Sequence, residues 1–148
     1  MNDLEINDLN HRIIKELYRH RNGELANFLI KNNTPYKRVY GLLLPQLIEI
    51  SNLFPNNSDL ALYLWESKES REQRILGILL MPHDIDKYTA LSMINDLKTK
   101  EEAELLPFKL IKKLPFANEL IHQLNQDEIF LEDEIKRYFL LMLNKNLN

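Results

Sequence analysis

Cysteine is absent from the 148 residues, so there is no disulfide framework, no thiolate metal cluster and no cysteine nucleophile. Glycine occurs three times, and nothing matches GxxxxGK or GxGxxG, which excludes phosphate-cradling loops of those two kinds. No serine stands in a GxSxG setting and no HExxH is present. His11, His20, His83 and His122 are scattered without metal-ligand spacing, so neither a metal nor a cofactor is expected. No apolar run approaches the roughly 18 residues of a membrane span. The acidic start Met1-Asn2-Asp3-Leu4-Glu5 lacks the basic-then-apolar order of a secretory signal. The expectation is a cytoplasmic chain with no membrane partner.

Hydrophobic residues make up 45% of the chain, enough to furnish a core for one domain over 1–148. The net charge of −3, from 19 basic and 22 acidic residues, gives no overall attraction to a polyanion, so nucleic-acid binding would need a local basic face. Apolar residues recur at three- and four-residue spacing rather than alternating, which predicts helices throughout. Leu9, Ile13, Leu17, Leu25, Phe28 and Leu29 share one side of a stretch over 4–31, as one helix or two meeting at a bend at Asn22-Gly23. Thr34 to Gly41 reads as a loop, and Pro45 sits where a helix can begin. Ser58 is a candidate cap for a helix over 59–66, with another over 71–81 close behind it. Asp84 would cap a helix over 86–97. Thr99-Lys100-Glu101-Glu102 spells a capping box, Pro107 and Pro115 punctuate the stretch after it, and Asn125-Gln126-Asp127-Glu128 leads a last helix over 127–145.

Short linkers between amphipathic helices favour antiparallel pairs, and a faint repeat of period 32 aligns Trp65, Leu97 and Ile129, then Leu76, Phe108 and Leu140. Each unit would be a helix pair that buries its apolar stripe only by stacking on the next, giving a curved array with a concave face.

Tyr40-Gly41-Leu42-Leu43-Leu44-Pro45-Gln46-Leu47 resembles the "(F/Y)G(V/I)xxPxLR" segment of the DNA alkylation repair family, with Ile48 in place of the arginine often found there. Leu60 to Ser67 and Arg71 to Leu80 are similar to that family's "LAxxLWxSxxxE" and "REx(R/K)ILAxLL" pieces, and Leu114-Pro115-Phe116-Ala117 to a further stretch. The resemblance covers about residues 24–122. It implies an all-α fold of HEAT-like helical repeats stacked into a short curved superhelix, with DNA bound on the concave face. The family's enzymes are alkylpurine DNA glycosylases. Where they carry tryptophans and a catalytic aspartate, in a phrase like "SWWDxVD", this chain reads Lys100-Glu101-Glu102-Ala103-Glu104-Leu105-Leu106-Pro107, with Glu104 the one carboxylate that could substitute. The implied protein is therefore a catalytically degenerate, DNA-binding member without catalytic residues. Glycosylase activity through Glu104 and a protein-interaction scaffold are the alternatives.

Candidate DNA-binding residues are Arg71, Arg74, Lys109, Lys112, Lys113, Lys136 and Arg137, on the second helices of the proposed pairs, and Lys37 and Arg38 in a loop. They read equally as a solvated face interleaved with Glu72, Glu104, Glu132, Asp133 and Glu134. Tyr36-Lys37-Arg38-Val39-Tyr40 mixes cation and aromatic as single-strand binders do, or packs its tyrosines on neighbouring helices. Tyr18-Arg19-His20-Arg21 is a second basic cluster, suited to a helix C-terminus. Trp65 reads as core rather than as a stacking platform. Phe139, Leu140, Leu141, Met142 and Leu143 crowd the final helix and would support a homodimer if no further repeat covers them.

Overall fold

The computed structural model describes residues 1–32 and 34–147. Among them there are ten α-helices, one 3-10 turn at Ile111–Lys113 and no strand beyond a single Arg38–Ser70 bridge, so the fold is all-α. No helix among the described residues is long and apolar enough to cross a membrane. Contacts gather in two compact units, Met1–Pro82 and His83–Asn148.

The first unit holds α1 (Asp3–Arg19), α2 (Gly23–Lys31), α3 (Leu44–Ser51), α4 (Ser58–Ser67) and α5 (Arg71–Leu80). The stretch over 4–31 is two helices, since Asn22 leaves helical geometry and its side chain accepts from Glu24 N and Leu25 N to cap α2. Asn57, not Ser58, caps α4 in the same way, leaving Ser58 as the first helical residue. α4 and α5 form an antiparallel hairpin turned at Lys68, the one non-glycine with positive φ among the described residues. The two axes meet closely because Gly77 has no side chain: a Cβ there would lie 2.9 Å from both Ala61 O and Trp65 N. Every residue of α5 except Leu79 is buried, and α1 and α3 pack around the hairpin.

The second unit comprises α6 (Lys87–Asn95), α7 (Lys100–Lys109), α8 (Ala117–Asn125), α9 (Glu128–Glu132) and α10 (Glu134–Leu147). Asp86, two residues beyond the expected Asp84, caps α6 through Thr89 N at 2.7 Å. Thr99 Oγ1 accepts from Glu102 N, and the Glu102 carboxylate accepts from Lys98 N, one residue earlier than in a strict capping box. Pro107 lies inside α7 rather than ending it, and the helix runs on to Lys109. The single last helix expected over 127–145 is two, because Asp133 turns to extended geometry, and Asp127 rather than Asn125 is the cap. α10 packs on α7 with Phe139, Leu140 and Leu143 buried, leaving Leu141 half-exposed.

The period-32 alignment holds in part. Trp65, in the last turn of α4, and Leu97 are both buried, as are Ile78 with Leu110 and Ile111 with Leu143, whereas Ile129 is 81% exposed and Phe108 stands 42% exposed while its counterparts Leu76 and Leu140 are buried.

Gly77→Ala separates close packing from helix propensity. Propensity alone would stabilise α5 by about 0.5–1 kcal/mol, whereas forcing the hairpin apart costs about 1–3 kcal/mol. Urea unfolding monitored by circular dichroism is expected to show net destabilisation. Asp86 gives a second check. Its hydrogen bonds from Thr89 hold the carboxyl below the usual aspartate range in the folded state. The cap therefore stabilises above the unfolded pKa and loses its effect as pH falls through the lowered folded value. An NMR carboxyl titration is expected to find Asp86 depressed in the protein and ordinary in the Thr89→Pro variant, which has no N–H to donate.

Candidate functional site

The first turn of α5 is the most polar buried region of the chain. Arg71, Glu72, Gln73 and Arg74 are 9%, 0%, 2% and 0% exposed, with Ser70 fully buried beside them. Ser70 Oγ accepts from Gln73 N at 3.0 Å and donates to Gln73 Oε1 at 2.8 Å, starting the helix. Gln73 Nε2 donates to Asn10 Oδ1 of α1 at 2.8 Å. Arg74 lies 3.3 Å over the Trp65 ring and donates to the Trp65 carbonyl. Trp65 is thus core, as its sequence position suggested, with an arginine for a lid.

Glu72 holds the neighbouring loop. Its carboxylate accepts from Tyr40 N at 2.9 Å, Gly41 N at 3.1 Å and Leu42 N at 3.4 Å, and from Arg71 Nη1 at 2.7 Å, while the same Arg71 nitrogen reaches Leu42 O at 2.9 Å. Two backbone bonds extend the seam, Arg38 N to Glu69 O at 3.0 Å and Arg71 N to Arg38 O at 3.1 Å. The loop then meets the α1–α2 corner. Asn22 N donates to Tyr40 O at 2.9 Å, and Gly41, at φ 84°, lies so close that any Cβ would strike Asn22 O and Ala26 N.

Between these two walls lies a groove of about 400 Å³, lined by Tyr18, Arg21, Ala26, Ile30, Lys37, Arg38, Val39 and Tyr40, with Gly23 at its edge. The Arg21 guanidinium sits 3.7 Å over the Tyr18 ring and donates to Tyr18 O at 2.8 Å, and that ring is 56% exposed. Lys37 makes a loose 3.5 Å pair with Glu69, both largely solvated. Three cations, an exposed ring and an apolar floor therefore share one concavity. The two basic-aromatic clusters seen separately in the sequence, 18–21 and 36–40, are its opposite walls.

The remaining candidates divide. Arg71 and Arg74, expected on a solvent-facing stripe, point inward, because the α5 N-terminus is covered by the 36–42 loop and by α1. In the second unit, the Lys109 and Lys112 ammonium groups lie 4.8 and 4.3 Å from the centroid of Phe108, with Lys113 exposed next to them. Arg137 closes the end of α9 through Leu131 O and Glu132 O, and Lys136 lies 5.7 Å from the Phe130 centroid. Glu104 is exposed on α7, and no group of three or more metal-ligating side chains forms among the described residues. Sequence reasoning missed Arg21 as a partner of Lys37 and Arg38, and it placed Glu72 on a solvated face. Ser70-Arg71-Glu72-Gln73 spells a capping box at the start of α5, which begins at Arg71 as expected, but that spelling does not reveal that the turn is buried.

Compared with models of protein families, with curated proteins and with solved structures, the chain matches none.

Arg74→Met is expected to destabilise the protein by about 2 kcal/mol or more, since it strips the lid from a buried ring and leaves the Trp65 carbonyl without that donor. Lys37→Glu is expected to stay within about 0.5 kcal/mol, as an exposed change does. Trp65 is the sole tryptophan, so its emission during urea unfolding reports both.

Proposed function

We propose that the chain is a non-enzymatic helical module that binds DNA, taking a single-stranded segment in the groove between Tyr18-Arg21 and Lys37-Tyr40. The observation that carries this reading is the convergence of Arg21, Lys37 and Arg38 with the half-exposed Tyr18 ring in one concavity of about 400 Å³. Cations that track phosphates, combined with a ring on which a base can stack, are what single-strand binding requires. A groove this small admits an unpaired nucleotide but not a duplex. The resemblance of residues 24–122 to the DNA alkylation repair family supports DNA as the polyanion. Lys109, Lys112 and Lys113 around Phe108 supply a second basic patch in a chain whose net charge is −3.

Base excision is not part of this reading. Glu104 stands exposed on α7 beyond the first turn, which holds Glu101 and Glu102, and Glu102 is engaged by Lys98 N. Release of alkylated purine from treated DNA, lost in Glu104→Gln, would replace the proposal with a glycosylase.

A protein-interaction scaffold is the second reading, favoured by the exposure of Phe28 (63%) and Ile30 (50%) on α2. Fluorescence anisotropy across a salt series separates the two. Three phosphate contacts on a single strand give a slope of about −2 in log affinity against log salt. Lys37→Glu with Arg38→Glu is expected to weaken binding about tenfold or more and to remove most of that slope, and Lys112→Glu with Lys113→Glu to weaken it less. No binding to any oligonucleotide at low salt would leave the scaffold as the better reading.

A further inference from the structure

We infer that Glu72 is the positioning residue of the groove: its buried carboxylate sets where Lys37 and Arg38 stand relative to Tyr18 and Arg21, and so how many phosphates the site can engage at once. The inference rests on the nucleic-acid reading above. Two backbone bonds, Arg38 N to Glu69 O and Arg71 N to Arg38 O, tie the loop at Arg38, and what they leave open is the course of the strip from there to the opposite wall. Here the backbone that carries Lys37 and Arg38 continues directly into Tyr40, Gly41 and Leu42, whose three N–H groups all end on one carboxylate. Three successive amides pointing at one anion fix the direction of the chain, not merely its proximity. Tyr40 is then shared, its N–H held by Glu72 and its C=O accepting from Asn22 N at 2.9 Å on the opposite wall. One residue thus couples the anchor to both walls, and the coupling passes through Glu72.

Arg71 makes this possible. Burying a carboxylate at 0% exposure is costly, and the 2.7 Å contact with the Arg71 guanidinium together with the α5 N-terminus offsets that cost and aims the group at the loop. The arginine also reaches Leu42 O, so both members of the pair grip the same loop. A structural role alone would lower the folded fraction and leave each folded molecule binding as before. A positioning role changes the folded molecule itself.

The test uses the whole chain, a short fluorescein-labelled oligothymidylate and three variants: Glu72→Gln, the double variant Arg71→Met/Glu72→Gln, and Gln73→Ala. The double variant leaves no uncompensated buried charge and carries the test if Glu72→Gln does not fold. Gln73→Ala removes buried side-chain bonds to Asn10 and Ser70 but none of the bonds to residues 40–42, and so controls for lost stability. Hydrogen exchange of the Tyr40, Gly41 and Leu42 amides reports the loop, and anisotropy across salt reports the site. The expected result is faster exchange at those three amides, affinity at low salt weakened about tenfold, and a salt slope reduced from about −2 to about −1, with Gln73→Ala keeping the full slope. Freed amides with unchanged affinity and slope would overturn the inference and leave the binding reading standing. The same slope loss in Gln73→Ala would also overturn it. A parent protein that binds no oligonucleotide would remove the binding reading, and the inference with it.

Discussion

The first unit depends on a carboxylate out of reach of water. Burying a charge is unfavourable unless donors replace its hydration, and Glu72 receives four: three successive loop amides and an arginine that is itself buried. Around that anchor the helix packing takes its form. The α5 N-terminus can be enclosed because its polar first turn bonds inward, with Gln73 on Asn10 of α1 and Arg74 on Trp65 of α4. Hydrophobic burial along Ile75, Leu76 and Ile78 supplies the larger part of the stability, and it is non-directional. The polar seam is what selects one arrangement of loop, corner and hairpin from among those the apolar residues would tolerate.

The groove is a by-product of that seam. The cations of neither wall stand in a regular element, although Tyr18 belongs to α1 and Ala26 and Ile30 to α2. One is a helix end with its capping turn, the other an extended stretch with a single bridge to Ser70. Positive charge gathers there for two unrelated reasons. Arg21 lies just past the C-terminus of α1, where the dipole favours cations, and Lys37 and Arg38 are exposed residues of a loop that buries Tyr36, Tyr40 and Leu42. Their convergence gives the chain a basic concavity despite its acidic balance, and that concavity supports the binding reading.

Helix content and most boundaries were legible in the sequence because periodicity and capping chemistry are local. The split at Asn22-Gly23, the start near Pro45 and the Thr99–Glu102 cap all lie where side-chain spelling places them. Errors arose where two spellings compete within two residues, as with Asn57 against Ser58 and Asp86 against Asp84, or where packing overrides a breaker, as at Pro107 inside α7. The inward turn of Arg71-Glu72-Gln73-Arg74 was not legible. Four polar residues in a row read as surface, and only contacts with residues 10, 40–42 and 65 make them interior. The site was half legible: both basic-aromatic clusters stood out, but nothing local says that residues 18–21 and 36–40 face each other.

The same polar turn bears on how such a chain could diverge. An apolar core position can drift among leucine, isoleucine and methionine one step at a time, since volume is most of what it must conserve. Arg71, Glu72, Gln73 and Arg74 have no such neighbours in sequence space, because together they satisfy groups on three other segments, the 40–42 loop, α1 and α4. A change at Glu72 takes one carboxylate from Arg71 and three amides together, and a Cβ at Gly41 pushes out the strip those amides belong to. These positions would therefore change in concert or remain as they are, so the segment that looks most like replaceable surface is the least free to vary.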